Sequence, residues 1–151
     1  MTQQTEVSGI EVFGPQMFLE GGGCDYGLLV DPGHVLAFLD FMPGKIGMTP
    51  ITPPFVSHTR LGIQGIRLIA ESHIYIKTVL AELGFYLDVF SCKMFNTEKT
   101  KLLALAHFRA RTHRIRMLDR GKEFPRGMQP QRIMAALEAG RIKEQTQKEV
   151  L

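Results

Sequence analysis

The sequence predicts an α+β fold, a two-layer α/β sandwich with helices on one face of a mainly antiparallel sheet, pairing into a dimer. Three observations carry that expectation. Two long apolar runs, Ile63 to Val79 and Phe85 to Cys92, flank a turn near Glu82-Leu83-Gly84 and read as an antiparallel hairpin. Helical stripes interrupt the strands without a regular βαβ alternation, which argues against a parallel sheet. The run 63–79 is apolar on both of its faces, so its second face needs a cover, and another subunit supplies one.

The elements follow in order. Residues 1–13 are polar and read as a frayed N-terminus. Gln16-Met17-Phe18-Leu19 forms a short first strand, ended by Gly21-Gly22-Gly23. Asp31-Pro32 starts a helix, with Asp as cap and Pro in the first turn. Val35, Leu36, Phe38, Leu39 and Met42 make its apolar stripe, and Pro43-Gly44 stops it. Pro50, Pro53 and Pro54 make any strand in 46–59 an edge strand or a broken one. The two long strands come next. Asn96 or Thr97 then caps a second helix with Leu102, Leu103, Leu105, Ala106 and Phe108 buried. His113 to Leu118 alternates polar and apolar as a half-exposed strand, and Asp119-Arg120-Gly121 turns the chain out. A tail helix spans about 131–148, with Ile133, Met134, Leu137 and Ile142 on one side. The domain therefore occupies 14–125, and 126–151 forms a C-terminal helical tail.

Composition narrows the function. The 151 residues are 44% hydrophobic and 22% charged, ordinary for a globular protein. No stretch approaches a membrane span, and the N-terminus lacks the basic start and apolar core of a secretory signal. Cys24 and Cys92 have no metal-ligand spacing and make no disulfide framework, so the reading is cytoplasmic, reduced and without a structural metal. Nine Lys/Arg lie between Lys99 and Arg126, but no nucleic-acid motif accompanies them. A solvated helix face and a charged edge strand account for that block.

The chemistry concentrates in Ile69-Ala70-Glu71-Ser72-His73-Ile74, where three polar residues interrupt the most strand-like part of the chain. A serine hydroxyl can attack the peptide carbonyl before it, giving an ester. Base-driven elimination then opens the ester and leaves a ketone at the new N-terminus. Such a pyruvoyl group is an electron sink: a substrate amine forms a Schiff base with it, carboxylate is lost, and an acid returns the proton.

Asp88-Val89-Phe90-Ser91-Cys92 ends the next strand, with Cys92 20 residues after Ser72. Together with Gly62-Ile63-Gln64-Gly65 upstream, this pattern resembles the bacterial and archaeal S-adenosylmethionine decarboxylases. Gly23-Cys24-Asp25 and His113 to Gly121 extend the similarity over about 14–125. The resemblance implies cleavage between Glu71 and Ser72, a pyruvoyl group derived from Ser72, and Cys92 as proton donor. It implies a small amine-bearing substrate, a place in polyamine biosynthesis and a homodimer.

Two kinds of position depart from the family pattern. The processing serine and histidine are replaced by Gln64 and Lys77. An amide can donate to an oxyanion, whereas a lysine acts as base only where burial or positive neighbours favour its neutral form. At the substrate positions the two stacking aromatics become His58 and Val79, and the ribose-holding carboxylate is lost unless Glu82 serves after a one-residue shift. These departures leave open a decarboxylase of a smaller basic amino acid, and also an unprocessed, non-catalytic homologue acting as a binding or regulatory protein.

Overall fold

In the computed structural model the described residues are 14–70 and 72–120. The N-terminal segment, Glu71 and the tail helix expected over 131–148 lie outside them. The described chain runs β1 (Gly14–Gly22), α1 (Tyr26–Leu29), α2 (Pro32–Lys45), β2 (Phe55–Thr59), β3 (Gly62–Ile69), β4 (Ser72–Val79), β5 (Gly84–Ser91), α3 (Thr97–His107) and β6 (Thr112–Arg120). The strands form one six-stranded sheet in the order β2-β3-β4-β5-β1-β6. Each neighbouring pair is antiparallel. β2, the strand preceded by the prolines, takes an edge.

Strand alternation sorts the side chains into two faces. Met17, Leu19, Ile63, Ile69, Ile74, Ile76, Phe85, Leu87 and Val89 point to one side and are buried there with Val35, Phe38, Leu39 and Met42 of α2 and with Ala104 and Phe108. Gly65 of β3 leaves room for this packing, because a Cβ there would run into Leu39. Thr78 ties the layers together: buried, its hydroxyl donates to the Leu29 carbonyl (3.0 Å) and accepts from the Ile63 N–H (2.9 Å).

The helix starts follow the expected chemistry. Asp31 accepts from the Gly33 N–H and Asn96 from the Lys99 N–H, both at 2.9 Å. The helix ends differ from expectation. Pro43 does not stop α2 but sits inside it, and the helix runs to Lys45. Proline has no N–H for the Leu39 carbonyl. The Arg67 guanidinium, reaching across from β3, donates to Leu39 and Asp40 carbonyls (both 3.0 Å), while its Nε donates to Thr52 (2.9 Å). The stripes are also narrower than expected. Leu36 and Leu102 are exposed, as is Ala106, and α3 buries Thr100 and Ala104 instead.

Two strand expectations are corrected. The run 63–79 is not one strand but two, β3 and β4, which pair with each other from Gln64↔Lys77 to Ile69↔Ser72. Neither Ala70 nor Glu71 is a turn-forming glycine, proline or asparagine, so the sequence carries no signal for this reversal. β6 continues through Arg120 rather than turning at Asp119, and it is exposed along its whole length because it forms the other edge.

The helices meet through two imidazoles. His34 and His107 stack with centroids 3.6 Å apart and planes 8° from parallel. The Nε2 of each bonds to the backbone carbonyl of the other, at 2.7 and 2.8 Å. Burial pushes His107 below the ordinary imidazole range; the bond to the His34 carbonyl works the other way, and the His34 charge adds to the lowering. The unfolded chain therefore takes up this proton first. The stability contributed by neutral His107 is complete above about pH 6.5 and declines as the pH falls toward the folded value. Urea-unfolding midpoints should drop between about pH 6.5 and 5 in the native chain, and much less over that interval in His107→Phe.

Candidate active site

The second face of the sheet carries no described helix, and its side chains form three rows across the strands. One row is Leu68, His73, Phe90, Gln16 and Leu118. The next is Phe55, Ile66, Tyr75, Asp88, Phe18 and Arg116. The third is Ser57, Gln64, Lys77, Tyr86, Glu20 and Arg114. Phe18, Phe55, Ile66, Leu68 and Leu118 are all exposed here.

Ser72 begins β4 at the end of this sheet. Its register partners are Ile69 on β3 and Ser91 on β5. Ser72 therefore opens β4 right after the reversal from β3 rather than lying in the middle of a strand. Alternation directs the half-buried Ser72 to the helix side, together with Ile74 and Ile76. Ser91 is buried; its hydroxyl accepts from the Lys93 N–H (3.1 Å) and approaches the Met48 sulfur (3.6 Å). Cys92 directly follows Ser91, which brings it beside the start of β4, and it is half-buried. The structure thus puts Ser72 and Cys92 at the same end of the sheet.

It does not unite them with the two processing positions. Gln64 and Lys77 face each other across β3 and β4 on the bare side. Lys77 is exposed, five residues and about 16 Å along the strand from Ser72. Gln64 accepts a hydrogen bond from the Tyr75 hydroxyl (2.9 Å). The substrate positions are also separated. His58 pairs with Ile63 on the helix side of β2, while Val79 alternates with Lys77 on the other side, two strands along. Glu82 lies in the turn before β5 and accepts from the Tyr86 hydroxyl (3.2 Å). That contact, followed by the charge on Glu82, then burial and the charge on Glu20, keeps the phenol above its usual range.

A polar network next to Ser72 was not evident from the sequence. His73 Nε2 stands 3.6 Å from Asp88, whose other oxygen accepts from Gln16 (2.7 Å). Gln16 in turn accepts from Arg120 (3.1 Å), and the Arg120 guanidinium lies 4.4 Å from the Phe90 ring centre. Burial alone would raise the Asp88 pKa. The contacts with His73 and Gln16, with the charges of His73 and Arg120, outweigh it and hold the carboxyl below its usual range. The available signal was one polar residue in each apolar strand; the register that joins them was not available. Among the described residues no group of three metal-ligating side chains is close enough to hold an ion.

One antiparallel sheet with the described helices on one side, and Ser72 opening β4 opposite Ser91 at the end of β5, define a two-layer α/β sandwich. Residues 15–121 match the family described as S-adenosylmethionine decarboxylase. The S-adenosylmethionine decarboxylase proenzyme of Pyrococcus furiosus is 30% identical over 118 residues, which cover 76% of this chain and 83% of that protein. The adenosylmethionine decarboxylase of Aquifex aeolicus VF5, a crystal structure, shares the fold with a TM-score of 0.64 at 17% identity, over 80% of this chain and 100% of that one. The chain belongs to the S-adenosylmethionine decarboxylase family.

The two thiols differ in environment. Cys24 is 5% exposed, and burial raises its pKa. Alkylation with iodoacetamide at pH 8, mapped by peptide mass, should modify Cys92 well before Cys24, and Cys24 should react freely only in denaturant.

Proposed function

We propose that this protein is a pyruvoyl-dependent decarboxylase of the S-adenosylmethionine decarboxylase type, self-cleaving between Glu71 and Ser72. The observation that carries the reading is Ser72 at the β3–β4 reversal with Ser91 opposite and Cys92 beside it. In this reading the Ser72 hydroxyl attacks the carbonyl of residue 71, and the C–N bond gives way to an ester. The residues present fit a group at position 72. β4 is hydrogen-bonded to β3 on one side and β5 on the other, so a break before Ser72 leaves the new terminus fixed beside Ser91. A pyruvoyl group there supplies the electron sink for loss of a carboxylate from an amine-bearing substrate. In this reading Cys92 returns a proton to the substrate carbon, a role supported by its position next to Ser91, whose buried hydroxyl adds a polar group at the same end.

The loss of the stacking aromatics supports a smaller basic amino acid as the substrate alternative to an adenosyl compound. A second reading, an unprocessed homologue acting as a binding or regulatory protein, is favoured by one observation. Gln64 and Lys77 stand on the bare face, far along the strand from Ser72, with Gln64 held by Tyr75. Intact mass under denaturing conditions separates the two. The first reading expects two fragments from the 17.0 kDa chain, the C-terminal one blocked at residue 72, and no fragments from Ser72→Ala. Cys92→Ala should still be cut but turn over at least about 100-fold more slowly. A single chain that stays uncut for days would leave the second reading.

We assign the bare sheet face to a second copy of the chain, making a homodimer. Its exposed Phe18, Phe55, Ile66 and Leu68 form the apolar part of a self-complementary patch, and Glu20 stands in the same row as Lys77 and Arg114. A cytoplasmic location agrees with two cysteines that form no disulfide. Sedimentation should find a dimer for the native chain and a monomer for Ile66→Asp/Leu68→Asp; a monomeric native chain would refute the assignment.

A further inference from the structure

Opening an ester at Ser72 requires a base, and few described groups can reach that end of the sheet. Lys77 lies about 16 Å down the strand. His58 faces the helices from edge strand β2, two strands away. His34 and His107 are engaged with each other between α2 and α3. Cys24 bonds through its backbone to Leu83, at the opposite end of β4 and β5. His73 is the residue next to Ser72.

His73 is held as a working imidazole would be. Leu68 and Phe90 flank it as register partners, with the Phe90 ring centre 6.0 Å away. Asp88 Oδ2 stands 3.6 Å from its Nε2, and the other oxygen of that carboxylate is held by Gln16. Arg120 fixes the far end of the Gln16 amide. Among the described strand residues around the ring, the charged groups are Asp88 from β5 and, beyond Gln16, Arg120 from β6; β3 and β1 present the uncharged Leu68 and Gln16. A carboxylate on one imidazole nitrogen sets the ring orientation and increases the basicity of the other nitrogen.

The faces also fit. The Ser72 side chain turns toward the helices, so its Cα–H leans toward the bare face on which His73 stands. We propose that His73, oriented by Asp88, is the base that takes the Cα proton of Ser72 when the ester opens, directly or through one water. The C–H electron pair becomes the Cα–Cβ double bond. The Cβ–Oγ bond breaks, and the oxygen leaves with residue 71 as its carboxylate. The proton rests on His73 facing Asp88; the enamine then takes a proton at Cβ to become the imine, and water displaces the nitrogen of residue 72 as ammonia, leaving the ketone. Asp88, Gln16 and Arg120 act through His73 and are positioning residues.

The inference rests on the self-cleavage reading, and one experiment separates their failures. The full chain is synthesised in vitro, and cleavage is followed by intact mass from pH 5.5 to 8.5. His73→Gln, checked for native circular dichroism, should be cut at least about 100-fold more slowly than the native chain. Lys77→Gln should lose less than about tenfold, and imidazole added to His73→Ala should restore cleavage. Asp88→Asn should slow cleavage at least about tenfold, and Asp88→Glu should recover part of that loss, because a carboxylate there holds the ring in place. Native-rate cleavage of His73→Gln or of Asp88→Asn would overturn the role of His73. An uncut native chain would overturn the self-cleavage reading, and this inference with it.

Discussion

Strand side chains alternate, and this sheet has helices on one side only. That constraint governs the rest of the molecule. Every second residue of β1, β3, β4 and β5 is committed to a core shared with α2 and α3, and every other one is committed to a face the described protomer leaves open. The core half is conventional: aliphatic and aromatic side chains packed to near-complete burial, with Thr78 as a satisfied polar bridge. The open half mixes exposed Phe, Ile and Leu with a charged network, a composition suited to burial against another surface rather than to permanent contact with water. Residues on adjacent positions of β4 consequently belong to different environments, and Ser72 and His73 are such neighbours.

Arg67 shows how the two layers are joined. A proline inside a helix ordinarily costs about 3 kcal/mol, in part through a carbonyl that loses its donor. Here a strand residue supplies the missing donor and also holds the Thr52 carbonyl of the approach to β2. With a side chain only 12% exposed, the guanidinium works mainly through these carbonyls, and its 3.5 Å contact with the largely exposed Asp40 adds little. The sheet therefore supports the helix past its proline, through contacts between residues 27 and 28 positions apart.

What could be read beforehand divides along the same lines. Local chemistry was legible: Asp31-Pro32 and Asn96 mark helix starts through contacts two or three residues long, and the prolines of 46–59 placed β2 at an edge. The family resemblance pointed to Ser72 and Cys92 together, and the register puts Ser72 opposite Ser91, the residue before Cys92. Features that depend on distant partners were not. The β3–β4 reversal contains no residue that forces a turn, so only the pairing of its strands reveals it. The extension of α2 beyond Pro43 depends on Arg67. The network on the open face joins positions 16, 73, 88 and 120, and none of those spacings has meaning until the strand order is known. Leu102 misled because a helix at the rim of a sandwich buries a narrower stripe than a helix at its centre.

The strand order carries one more consequence. A break before Ser72 would divide the described strands into two sets, β1, β2 and β3 on one fragment and β4, β5 and β6 on the other. In the sheet, β1 lies between β5 and β6, so a strand of the first fragment is threaded between two strands of the second. The fragments would be interlocked as well as hydrogen-bonded. Separating them would mean stripping β1 from both neighbours at once, so a cut protein of this topology would come apart only by unfolding.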